Sequence, residues 1–174
     1  MSIPRVSTSK VILKEDGLYL NNVKIGTPSL KKGSKIYTKE GYKEIQDICL
    51  GDEVLTHLNR WKKVICIDNS VSSEIWKIKT RNGLKLYVTE NQSFLATIVK
   101  GSSFGEGKFI KVKDLSIDSY LISLGNNEGN GMLDYEYDKI VKIEKTDRVE
   151  QVFSLGVEED NSYIVNDIIV KGIM

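Results

Sequence analysis

The sequence predicts an all-β fold, and three observations carry that expectation. Short apolar–polar alternations of four to nine residues recur along the chain, and each is bounded by Gly, Asn, Asp or Ser turn signals. Helical 3.6-residue periodicity is almost absent, and the 174 residues contain only two prolines. The architecture expected from this pattern is a compact, twisted β-sandwich or barrel with short helical turns.

Residues 1–9 carry no pattern and read as a flexible arm. Lys10 to Ile25 reads as a small β-meander, with turns at Glu15-Asp16-Gly17 and at Asn21-Asn22, where asparagine tolerates positive φ. A piece this short is marginal alone and needs something to pack on, so residues 1–28 are a candidate docking element. After Gly26-Thr27-Pro28 the main domain, residues 29–174, begins at Ser29.

Within it, strands are expected at 35–38, 53–56, 62–67, 75–80 and 84–89, with a turn at Gly41, a helical turn at Ile45 and Ile48, and a corner at Gly51-Asp52. Arg81-Asn82-Gly83 between two alternating runs is the strongest hairpin signal in the chain. Further apolar segments follow at 91–99, 109–115 and 119–123. The Gly-rich stretches 101–107 and 125–131 read as loops. The last strands are expected at 139–145, 151–157 and 162–170, the last interrupted near Asn166-Asp167.

Bulk chemistry narrows the function classes. The 25 basic and 24 acidic residues leave a formal charge of +1 and are interspersed, which argues against nucleic acid and anionic membrane as partners. No apolar run approaches the roughly 18 residues of a membrane span, and the first residues lack a signal-peptide pattern, so a cytoplasmic site of synthesis is expected. Cys49 and Cys66 form no metal pattern, lie in apolar segments and read as buried thiols; no metal or cofactor is expected. His57 is the single histidine, which limits acid–base chemistry near neutral pH, and it reads as structural.

Four segments in order bear on chemistry. Ser29 to Val54 places a small nucleophile four residues before Gly33 and ends in the Gly51-Asp52 corner. Gly83 to Leu95 contains Thr89-Glu-Asn-Gln92 and the apolar pair Phe94-Leu95. Phe109 to Ile122 follows, and Val152 to Gly172 closes the set. Together they resemble the sequence blocks of inteins and hedgehog-type autoprocessing domains, the Hint fold, without an inserted endonuclease.

The resemblance also says what is missing. It implies Ser29 as the residue at the first junction, so the scissile bond would be Pro28-Ser29, with geometry restricted by the proline. Thr89 stands where the family has threonine, but Gln92 stands where it has histidine, and an amide cannot deliver a proton. Asn161 matches the histidine of the penultimate block, Lys171 the penultimate residue, and Gly172 the asparagine that cyclises. Glycine has no side-chain amide, and Ile173 offers no nucleophile to accept an acyl group. Ser154 occupies a position often acidic or Cys.

The sequence therefore points to a non-splicing Hint-like domain serving as a structural or protein-interaction component, with a phage virion or another large assembly as a plausible setting by family analogy. The alternative is single-turnover self-cleavage at Pro28-Ser29 by Ser29, assisted by Thr89 and Gln92. A carbohydrate or small-ligand module using Trp61 and Trp76 has less support, since both lie within alternating strands and read as sheet-face residues.

Overall fold

The computed structural model describes residues 11–14, 17–20, 23–24, 28–125 and 135–174. The expected N-terminal arm, the meander's connecting turns and most of the 125–131 loop lie outside the described residues.

The meander is present as β1 (Val11–Lys14), β2 (Gly17–Leu20) and β3 (Val23–Lys24), which form their own antiparallel sheet in the order β1-β2-β3. The remaining strands are β4 (Leu30–Lys31), β5 (Lys35–Thr38), β6 (Gly41–Glu44), β7 (Glu53–Leu55), β8 (Trp61–Ser72), β9 (Ile75–Thr80), β10 (Lys85–Thr89), β11 (Ser93–Lys100), β12 (Ser103–Phe104), β13 (Lys108–Lys111), β14 (Ser119–Leu124), β15 (Tyr135–Lys145), β16 (Glu150–Val157), β17 (Ser162–Val165) and β18 (Ile168–Lys171). Two 3₁₀ turns, Ile45–Asp47 and Val112–Asp114, are the helical elements among the described residues.

These fifteen strands form one sheet rather than two stacked ones. The path runs β12-β11-β14-β15-β9-β10-β4-β16-β8-β7-β5-β17-β18, and β18 then pairs with β11 and β14 again. The sheet thus closes on itself, which removes most of its free edge. Alternation decides which residues face inward: in β14, Ser119, Leu121 and Ser123 are buried while Tyr120, Ile122 and Leu124 are half-buried on the other face. The principal core gathers Leu30, Ile36, Val88, Phe94, Leu121 and Phe153 with their neighbours. A smaller cluster of Leu55, Ile164 and Ile169 lies under Tyr37, Trp61, Phe109 and Leu124.

The Asn82-Gly83 turn joins β9 to β10 as expected, with Gly83 at φ +89, where a side chain would be strained. Asn166 and Asp167 both take left-handed φ, 48 and 66°, as a tight hairpin between β17 and β18 requires. The Gly-rich segment held a strand that its composition concealed, β12. β8 extends to Ser72, past the expected 67, because its polar end is paired along its length by β16. The two thiols are not both buried. Cys49 is exposed because Ile45 and Ile48 take the inward positions of the 3₁₀ turn, and Cys66 is half-buried. No helix among the described residues is long and apolar enough to cross a membrane.

Candidate functional site

The site forms where the start of the main domain meets β10 and β16. The sheet inserts β4 between β10 and β16, with Leu30 opposite Val88 on one side and Phe153 on the other. Ser29, one residue earlier, is thereby placed between Thr89 and Ser154. It is only 3% exposed.

Four hydrogen bonds define the geometry. The Ser29 N–H donates to Thr89 Oγ1 at 2.9 Å, and the Thr89 N–H donates to the Ser29 carbonyl at 2.9 Å. The Ser29 and Ser154 hydroxyl oxygens are 2.7 Å apart. The Ser154 hydroxyl also makes a short hydrogen bond to the Pro28 carbonyl. A hydroxyl has one proton. Ser154 spends it on Pro28, so Ser29 donates to Ser154, and a chain of two hydroxyls ends on the carbonyl of the Pro28-Ser29 bond.

Gln92 is fully buried and turned toward the other end of the domain. Its Nε2 donates to the carbonyls of Lys171 (2.9 Å) and Ser93 (3.0 Å), so both amide protons are committed there. Through the Lys171 carbonyl the Gln92 side chain holds the end of β18. Its Oε1 is buried without a hydrogen-bond partner among the described residues.

Asn161, at left-handed φ of 45°, exchanges hydrogen bonds with the main chain of Met174, donating from Nδ2 and accepting at Oδ1. The Gly172 N–H donates to the Asn161 carbonyl at 2.7 Å, and the Ile173 N–H to the Leu155 carbonyl at 3.0 Å. A Cβ at residue 172 would lie 2.2 Å from Asn161 Oδ1 and 2.6 Å from the Leu155 carbonyl. Glycine is thus the residue this packing admits. Because Ser154 holds Pro28 and adjacent Leu155 holds Ile173, both ends of the domain meet on one strand, β16.

His57 lies in the turn after β7 and does not join the hydroxyl chain. Its Nδ1 is 2.6 Å from Ser162 Oγ, its own N–H donates to the same oxygen at 2.8 Å, and its ring meets Phe109 edge-on. Nearby, Asp160 is held by the Arg60 guanidinium and by the Thr56 hydroxyl, and Arg60 keeps its carboxyl below the usual range. Burial pushes the His57 pKa down, Asp160 opposes this, and Arg60 and Lys171 reinforce it. The unfolded chain then binds the proton more readily, so the stability contributed by neutral His57 is complete above about pH 6.5 and is lost as pH falls below it. The expected result is a melting temperature that declines from about pH 7 to pH 5 in the parent, with this slope largely absent in His57→Asn; thermal melts across that range check it.

Asp52 shapes its corner, accepting from the Cys49 N–H and from Lys43, each at 2.9 Å. Trp61 and Trp76 are half-buried, Trp61 against Tyr37 and Trp76 against the principal core. No three His, Cys, Asp or Glu side chains among the described residues converge on a point that would hold a metal ion. The residue sequence reasoning undervalued is Ser154. Its signal was its place in the last block, read only as a departure from the acidic or Cys type.

No family model matches the sequence, and no curated protein matches it. Solved structures do match in shape. A DnaB intein from Synechocystis sp. PCC 6803 superimposes with a TM-score of 0.68 at 22% identity, covering 85% of this chain and 100% of that one. A DnaX mini intein from Spirulina platensis gives 0.64 at 22% identity, covering 83% and 99%, and the gp41-1 intein gives 0.64 at 22%, covering 84% and 100%. At this identity the likeness establishes the fold: the chain is built on the Hint fold that these inteins share.

Proposed function

We propose that this Hint-fold domain does not splice and serves as a structural, protein-interaction component of a larger assembly, such as a virion. The observation that carries this reading is at Gly172. Asparagine cyclisation needs a side-chain amide at that position, and the Asn161 side chain and the Leu155 carbonyl fill the space such a side chain would enter. With Ile173 following, a branched intermediate has no acceptor. What remains useful is the geometry, since β16 holds the two ends of the domain side by side. Residues 1–28 then serve as the docking element, by strand addition to a partner sheet.

The hydroxyl chain favours a second reading, self-cleavage at Pro28-Ser29. Ser29 Oγ would bond to the Pro28 carbonyl carbon while its proton moves to Ser154 Oγ and the Ser154 proton moves to the carbonyl oxygen. Collapse would break the Pro28–Ser29 C–N bond, with that proton passing to the Ser29 nitrogen and leaving an ester that water hydrolyses. Serine is barely ionised at neutral pH, and the proton path from Ser29 through Ser154 to the Pro28 carbonyl runs through hydroxyls. Loss of a general acid alone costs about 10²–10⁴ in rate.

Intact-mass measurement of the full chain after prolonged incubation, with and without hydroxylamine, separates the readings. An unchanged mass is expected. A fragment beginning at Ser29, abolished in Ser29→Ala, overturns the silent reading in favour of self-cleavage.

A further inference from the structure

The outer faces of three neighbouring strands carry a row of lysines. Lys79 of β9 is directly opposite Lys85 of β10 on one side and Lys142 of β15 on the other, and all three are exposed. Lys77 shares this face two residues along β9, and Arg81 lies just past the strand's end. Glu144 is the acidic residue set opposite Lys77 in this row, and Lys142 reaches it at 3.5 Å. Lys77, Lys79, Arg81 and Lys85 make no ion pair among the described residues.

Like charges directly across a sheet are destabilising. The chain did not lack acids to interleave, with 24 against 25 bases. Elsewhere it uses them: Lys43 pairs with Asp52, Lys62 with Glu159, Lys145 with Glu74 and Arg148 with Glu150. Charge that is interspersed along the sequence is therefore segregated in space by strand register.

Beside the row, Lys35 and Lys85 flank an open cleft of about 430 Å³ floored by Leu84. Asn166 builds it, accepting the Lys35 N–H at 2.8 Å and donating to the Lys85 carbonyl at 2.9 Å. The cleft's own carboxylate, Asp167, is occupied by the Tyr42 hydroxyl at 2.5 Å. The cations of cleft and row thus face outward together.

We infer that this face docks an acidic segment of a protein partner, whose carboxylates supply the counter-charge the row lacks. Nucleic acid fits less well. The Arg148 guanidinium covers the Tyr87 ring at 4.3 Å, and the exposed Tyr42 of the cleft packs on Tyr37 and is tied through its hydroxyl to Asp167, so neither ring stands free as a stacking platform. The inference rests on the interaction reading above but uses a surface separate from the junction, so its failure is distinguishable from cleavage in the mass measurement.

Fluorescence anisotropy with a labelled oligoglutamate peptide, on the full chain at low salt, tests it. Lys79→Gln/Lys85→Gln/Lys142→Gln is expected to weaken binding roughly tenfold, since each exposed pair contributes modestly. Its thermal melt shows whether it stays folded, and relief of like-charge repulsion predicts a melting temperature no lower than the parent's. A second triple at exposed lysines elsewhere, Lys32→Gln/Lys111→Gln/Lys113→Gln, is expected to bind within about twofold of the parent. Equal losses in both triples, no measurable binding by the parent, or tighter binding of oligothymidylate than of the peptide would each overturn the assignment.

Discussion

Phe94→Ala is expected to destabilise the protein by about 3–5 kcal/mol, the usual cost of emptying a large aromatic site in a core. Phe94 is fully buried and sits where the sheet closes. It lies opposite Ile110 of β13 and opposite Val170 of β18, so the cavity would open at the seam rather than in one ladder. A domain of this size has roughly 5–15 kcal/mol of stability in all, so the loss is a large fraction of it. Denaturant unfolding gives the measurement, with the midpoint expected to fall and the slope to hold. Phe104→Ala is the comparison. Phe104 is 40% exposed and stacks on Tyr137, so its loss is expected to cost about 0.5–1.5 kcal/mol. If the two variants cost the same, Phe94 is not holding the seam.

That seam marks the limit of what local pattern reveals. Ile75 to Thr80 was legible because Ile75, Ile78 and Thr80 are buried while Lys77 and Lys79 point outward, and Gln151 to Val157 was legible as a short apolar run, buried from Val152 to Val157, bounded by turn signals. The Asn82-Gly83 and Asn166-Asp167 turns were legible because positive φ demands those residue types. The closing pair between β11 and β18 joins residues 94 and 170, and no local feature of either encodes the other. Hence a sandwich or barrel was as far as periodicity could go, while the order of the blocks pointed on to the Hint fold. The site divides in the same way. Ser29 and Thr89 could be named from their blocks, and β4 brings them into contact. The bond from Ser154 to Pro28 and the turning of Gln92 toward Lys171 depend on which strands become neighbours, so neither is written in spacing. Charge shows this most plainly: Lys79, Lys85 and Lys142 are scattered in the chain and stand in line only after β9 pairs on both sides.

Gly172→Asn, which restores the amide that cyclisation needs, is expected to produce no cleavage and to cost about 1–3 kcal/mol or more through overpacking. The backbone cannot move aside cheaply. The Gly172 N–H is tied to the Asn161 carbonyl and the Ile173 N–H to the Leu155 carbonyl, while the Asn161 side chain is tied to Met174. Two obstacles can be told apart by their kind. The 2.2 Å approach is to a side-chain atom, Asn161 Oδ1, and the 2.6 Å approach is to backbone, the Leu155 carbonyl. Removing the first with Asn161→Ala should therefore rescue only part of the loss, giving a favourable coupling energy in the double variant, as expected for residues in direct contact. Denaturant unfolding of both single variants and the double variant measures that coupling, and intact mass reads the chemistry. Full additivity would mean that Asn161 does not crowd residue 172. Loss of residues 173–174 from Gly172→Asn would mean that the site still cyclises once given an amide, and the silent reading would fall with it.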